Sequence, residues 1–375
     1  MTGPARLALT LVSLVILIAL PIAGAIAKGS QGRNYLEFPP LTRYVEHQPF
    51  SWSAFTLLAC AFAAFLVPFI ARMLRAQVLL YPRVGGSPVP ARPFPWWGWF
   101  GLILGAAAWV LAWTRFPWFV PLQAFTFSPL WLAYIVVVNA LTWKRTGRCL
   151  LRDRPGLLLT LAAVSAVFWW YFEYLNRFVQ NWYYVGVESL TPMEYALFAT
   201  LPFATVLPAV MSTDEWLRSN PRLTAGLDRF RPIRVTRPRR IGWLLLGGSA
   251  AGMLGIGIQP DYFFPLLWLS PLFVLTATDI VSGRPTVFAG VEAGDWRRVV
   301  RLALAALLCG FFWEMWNDRS LAKWVYAVPF VNRFHVFEMP ILGYAGYLPF
   351  GLECAAIADR VANLFRDERV NNNKE

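Results

Sequence analysis

The sequence predicts an all-α fold: a polytopic bundle of about ten membrane-spanning helices containing two parallel four-helix repeats. Three observations predict it. Of the 375 residues, 57% are hydrophobic and only 15% are charged, and the apolar runs are about 17 to 25 residues long, enough to cross hydrocarbon. Lys and Arg fall in alternate loops. A set of short motifs recurs in the same order in the second half of the chain.

Taken in order, the spans lie at about 6–27, 51–71, 96–113, 117–143, 157–179, 193–212, 241–258, 262–281, 302–317 and 338–358. The first follows Arg6 and ends on Ala25-Ile26-Ala27. That tripeptide has the form of a signal-peptide cleavage site, but the run reads as a retained signal anchor. After the second span come Arg72, Arg75, Arg83 and Arg92; five cations follow the fourth span, eight lie at 218–240, four at 284–301 and four between Arg360 and Lys374. With Arg6 these make about 26 of the 34 Lys and Arg, so the positive-inside rule puts these loops and both termini in the cytoplasm of a cell with a bacterial type of inner membrane.

The formal charge of +13 is therefore topogenic, and no nucleic-acid partner is expected. The run RFRPIRVTRPRR (229–240) is the place for anionic lipid head groups to bind. Cys60, Cys149, Cys309 and Cys354 have no CxxC spacing and read as small apolar residues. His47 beside Glu46 and His335 near Glu338 are metal-ligand types, yet two histidines in distant loops read as unrelated; no metal and no cofactor is expected. There is no P-loop, dinucleotide fingerprint, G-x-S-x-G or HExxH.

The repeat rests on collinear pairs. Gly98-Trp99 matches Gly242-Trp243, Gly101xxxGly105 matches Gly248xxxGly252, and Ser128-Pro129-Leu130 matches Ser270-Pro271-Leu272. Glu173xxAsn176 then matches Glu314xxAsn317, Trp182-x-Tyr184 matches Trp324-x-Tyr326, Glu194 matches Glu338, and Leu201-Pro202-Phe203 matches Leu348-Pro349-Phe350. The units are about 95–212 and 239–358, and an even number of spans makes them parallel, related by an axis along the membrane normal. The chain divides into 1–94 (two spans and an outer loop), 95–238 (first repeat and basic loop) and 239–375 (second repeat and tail). The GxxxG motifs predict close backbone approach, and the 28–50 loop is placed to cap the outer face.

This topology puts Glu173, Glu194, Glu314 and Glu338 near the outer ends of spans, two per repeat, around a loop carrying Trp-x-Tyr. Glu173 and Asn176, like Glu314 and Asn317, share a helix face. An acid facing lipid is costly, so these four are the candidate catalytic residues, with Asn176, Trp182, Tyr184, Asn317, Trp324 and Tyr326 as candidate substrate contacts. The alternative is structural: solvated acids or ion pairs with Arg177, Arg319, Lys323 and Arg333, beside an ordinary interfacial aromatic belt. Glu353, about fifteen residues into the last span, is either a packing hydrogen-bond donor or part of a proton path.

The order Trp182-x-Tyr184, then Pro192-Met193-Glu194-Tyr195-Ala196-Leu197-Phe198 entering a span, resembles the small membrane carotenoid cyclases, the heterodimeric-type lycopene cyclase domain, which also occurs as fused tandem copies. The likeness covers about thirty residues per repeat. Tyr195 stands where that family has a second glutamate, and Pro340 follows Glu338 instead of preceding it. The resemblance implies an isoprenoid substrate protonated by a buried carboxylic acid, with Trp and Tyr faces stabilising the cation and a second carboxylate removing a proton. In that scheme Glu194 with Glu173, and Glu338 with Glu314, are the acid–base pairs. Two other readings of the same residues stay open: a secondary transporter whose membrane glutamates carry protons or cations, and a non-catalytic membrane scaffold.

Overall fold

The computed structural model describes residues 3–30, 32–80 and 92–372; Arg83 and Lys374 lie outside them. Among the described residues the fold is mostly helical (73%), with eight candidate membrane-spanning helices and no closed sheet. In chain order the long helices are α1 (Leu7–Ala27), α2 (Trp52–Val78), α3 (Trp96–Trp113), α4 (Phe127–Thr146), α5 (Pro155–Val179), α6 (Pro192–Arg218), α7 (Pro238–Ile258), α8 (Leu266–Ser282), α9 (Arg297–Asp318) and α10 (Ile341–Phe365). All but α4 and α8 are long and apolar enough to cross a membrane on their own.

The two exceptions depart from the sequence expectation for identifiable reasons. The stretch at 117–143 reads as one straight span, but Pro117–Phe125 is a 3-10 segment bent by 67° from α4. Pro117 and Pro121 have no N–H to give to an α-helix, and Gln123 ties the bend back by donating to the Leu111 carbonyl at 2.8 Å. At 262–281 the helix starts late, because a four-residue turn at Pro260–Phe263 and then Pro265 precede Leu266.

Helices α3 and α4 pack against each other, as do α7 and α8. Gly101 makes the first approach close: a Cβ there would meet Val136 at 2.8 Å. In the second pair Gly252 does this against Leu266 at 2.6 Å, whereas Gly248 faces open space. An additional crossing has no GxxxG signature. Gly24 of α1 and Gly257 of α7 bring the two backbones together, and a Cβ on either would fall 2.2 Å from a carbonyl oxygen of the other helix. The main hydrophobic core reaches from Leu9 to Val361, with smaller clusters around Leu272 and Val299 and around Val187 and Tyr195.

Helix α2 stands apart. No residue of its apolar stretch is fully buried, and ring clusters hold it at its two ends. Near the start, Phe55 meets Phe334 at 5.4 Å and the Arg333 guanidinium lies 5.1 Å over Phe50. Near the other end, Phe69 meets Phe230 and Trp296 at 5.1 and 5.2 Å.

Two antiparallel ribbons complete the fold, neither of them expected from the sequence: β1 (Trp182–Val185) with β2 (Lys323–Tyr326), and β3 (His335–Val336) with β4 (Met339–Pro340). Over β1 runs a strap formed by residues 37–48. Gln180 holds it by accepting from the N–H groups of Tyr44 and Val45 at 2.8 and 2.9 Å. His47 is 2.7 Å from Asp261, which also accepts from the Gln48 N–H at 2.8 Å, and Arg43 lies 4.2 Å over the Tyr183 ring.

Candidate functional site

Each half of the site is built the same way. Helix α5 ends at Gln180, whose left-handed backbone (φ 46°) reverses the chain while its N–H caps the Asn176 carbonyl at 2.7 Å. Asn176 then donates to the Trp182 carbonyl at 2.8 Å, so the helix holds the strand that follows. At the end of α9, Asn317 donates to the Trp324 carbonyl at 2.8 Å and accepts from the Trp324 N–H at 2.9 Å. Both asparagines, candidates for substrate contact by sequence, thus lie against the strand backbones.

The strands meet in a register that pairs Trp182 with Tyr326 and Tyr184 with Trp324. Alternate residues of a strand share a face, and so do directly opposed ones. The four aromatic side chains singled out by sequence therefore form one surface.

That surface covers two buried carboxyls. Glu173 accepts from the Tyr184 hydroxyl at 2.6 Å, the Trp169 indole at 3.1 Å and the Trp182 indole at 3.2 Å. Glu314, fully buried, accepts from the Tyr326 hydroxyl at 2.7 Å and the Tyr347 hydroxyl at 2.6 Å, while the Trp324 indole donates to the Tyr326 oxygen at 3.0 Å. Burial, followed by the nearby carboxylate, pushes the Tyr184 and Tyr326 hydroxyls well above the ordinary phenol range. Both remain neutral donors. Neither Glu173 nor Glu314 has an ion-pair partner among the described residues.

Neither Glu194 nor Glu338 hydrogen-bonds to this aromatic surface or to the two buried carboxyls among the described residues. Glu194 is exposed at the start of α6, where it forms a reciprocal capping box with Thr191: its carboxylate accepts from the Thr191 N–H at 2.8 Å and its own N–H reaches the Thr191 hydroxyl at 3.3 Å. Glu338 is half-buried and ion-paired with Lys323. Of the other cations weighed as partners, Arg177 donates to the Glu37 carbonyl, Arg319 lies 5.3 Å over the Trp113 ring and Arg333 sits among the rings at the start of α2. His335 contacts Asn332, and no group of three or more His, Cys, Asp and Glu that could hold a metal ion occurs among the described residues. Glu353 is fully buried, and neither of its oxygens has a hydrogen-bond partner among the described residues.

Beneath the aromatic surface lies a cavity of about 650 Å³. Trp182, Tyr184, Trp324, Tyr326 and Lys323 line it together with Trp169, Tyr195, Trp268, Trp313 and Tyr347; apart from Asn181, the rest of its wall is apolar and comes mainly from α2, α6, α9 and α10, with Phe127 of α4 and Leu269 of α8. The two buried carboxyls stand behind this lining and touch it through the Tyr and Trp groups they accept from. Glu173 also borders a second, water-sized pocket of about 20 Å³, enclosed by the strap at Pro40–Arg43 and by Arg177 and Gln180.

Three residues that matter here escaped the sequence reading. Trp169, one helical turn before Glu173, carries a signal that the i, i+4 rule could have found. Tyr347 is 33 residues beyond Glu314, and Trp268 lies on α8; no spacing links either to the acids. No protein-family model matches this sequence, and comparison with curated proteins and with solved structures finds no match either.

Proposed function

We propose that this integral membrane protein binds a membrane lipid or isoprenoid in the cavity and modifies it by acid–base chemistry at Glu173 and Glu314. One observation carries the reading: a large apolar cavity whose aromatic roof is hydrogen-bonded to two buried carboxyls. A hydrocarbon is the ligand such a lining favours. A carboxylic acid held out of water can keep a proton to deliver to a carbon–carbon double bond. The cation formed would rest against the faces of Trp182, Trp324 and their neighbours, and a carboxylate would then take a proton from the adjacent carbon to restore a double bond. The Tyr184 and Tyr326 hydroxyls, which touch both the carboxyls and the cavity, are placed to hand protons between them.

The same proposal includes ten spans, cytoplasmic termini and an internal duplication. The antiparallel pairing of the two Trp-x-Tyr strands and the matching asparagine contacts support the duplication. Exposure of residues 231–240 supports contact of the basic loop with anionic head groups. Reporter fusions at Gly226 and Lys374 test the topology, and both should report cytoplasm.

Pigment and lipid analysis of a lycopene-accumulating host expressing the full chain tests the chemistry. Cyclised products that vanish with Glu173→Gln or Glu314→Gln, at unchanged protein level, are the expected result. Unchanged lipids and pigments would remove the isoprenoid cyclase reading.

A further inference from the structure

The cavity is elongated, and its length can be read from the helices that form it. On α9 the lining runs from Trp313, beside the ribbon, to Val299 near the helix start, and on α2 from Leu58 to Met73. Fourteen or fifteen residues at 1.5 Å each give a depth of about 21–22 Å, roughly two-thirds of the hydrocarbon thickness of a bilayer. The stripe on α2 is continuous from Leu58 through Phe62, Leu66, Phe69 and Met73, while on α9 Val299, Ala303 and Leu307 recur every four residues and, after a gap at 308–312, Trp313 closes the wall at the ribbon. Among the described residues no charged group lines this shaft below the ribbon, where Lys323 is paired with Glu338.

We infer that the cavity measures a single extended hydrocarbon chain, taken in parallel to the helices, with one end under the aromatic ribbon and the other stopped near Val299 and Met73. This rests on the reading that the cavity holds a lipid, and adds to it the shape of that lipid and the residues that set its length. Entry from the side is placed along α2, which ring clusters hold at its two ends and whose apolar stretch has no fully buried residue. Ala303 has the smallest side chain of the α9 stripe. A large side chain there would close the last turn of the shaft, four residues or about 6 Å of its depth.

The experiment uses purified full-length protein in detergent and a series of α,ω-dibromoalkanes of increasing length, with quenching of the cavity tryptophans as the signal. Referred to the free aqueous concentration of the dibromoalkane, measured separately by its partition into protein-free micelles, each added methylene should tighten saturable quenching about fourfold until the chain fills the shaft, and tightening should then stop. Ala303→Phe should move that break to chains about 6 Å shorter, and Met73→Ala, at the far end of the facing wall, to longer ones. Absence of a break in the unsubstituted protein, or a break that neither variant moves, overturns the inference. If Ala303→Phe does not fold, Met73→Ala alone decides. Quenching reads binding without turnover, so a length break with no product in the lycopene host would sink the chemistry and keep the measured chain, and product without a length break would do the reverse.

Discussion

Glu173 and Glu314 occupy equivalent places at the ends of α5 and α9, yet their surroundings differ in two respects. At Glu173 the extra donor is Trp169, from one turn earlier in the same helix. The corresponding position before Glu314 is Gly310, and the space so left is filled by the ring of Tyr347 from α10, which supplies the donor instead. The first carboxyl also borders a water-sized pocket under the strap; the second has an oxygen that is buried without a partner among the described residues. A hydrogen-bond donor for a buried acid can thus come from local sequence or from a distant helix. Only the second solution ties the acid to the packing of the bundle.

The largest expected effect comes from removing the sealed acid. Glu314→Ala leaves the Tyr326 and Tyr347 hydroxyls without their acceptor in a buried place, at a cost on the order of 2–5 kcal/mol. Glu173→Ala, next to a pocket able to hold water, should cost clearly less. Thermal unfolding of both variants in detergent would show it, and equal losses would break the proposed difference. Next is Gly310→Ala, whose Cβ would lie 2.4 Å from the Tyr347 ring; overpacking of this kind costs about 1–3 kcal/mol. The reciprocal change Trp169→Gly should destabilise through a lost ring, without displacing any other helix.

Where the halves are alike, the effects should be alike. Asn176→Ala and Asn317→Ala each remove a strand anchor, at about 1–2 kcal/mol, and an unfolding difference between them beyond that range would show the ribbon to be held from one side. The smallest effects belong to the outlying acids. Glu194→Ala loses only an exposed capping contact and should leave the unfolding temperature nearly unchanged. Lys323→Ala and Glu338→Ala, singly and together, should give a coupling of about 1 kcal/mol or less in a double-mutant cycle.

Much of this was legible beforehand, for reasons particular residues make plain. Runs such as those of α1, α5 and α7 have the length and composition of spans in themselves, and the recurrence of Glu173xxAsn176 with Trp182-x-Tyr184 pointed to the residues that form the ribbon. The ribbon itself was not legible, because a four-residue strand such as Trp182–Val185 has too short a pattern to signal pairing and its partner is 141 residues away. The bend before α4 could have been suspected from Pro117 and Pro121, but the tie through Gln123 could not.

What the sequence by itself determined is what a bilayer reads one segment at a time: the apolar length of each helix, the cation-rich loops between them, and the caps, such as Thr191 with Glu194, formed within a single turn. What only the tertiary structure decided is which acids are buried together, which donors reach them, and that a cavity lies between α2 and the bundle. The first set depends on transfer and on local hydrogen bonding, which act over a few residues of contiguous chain. The second depends on packing between helices far apart in sequence, where the loss of one side chain, as at Gly310, makes the space into which Tyr347 inserts its ring.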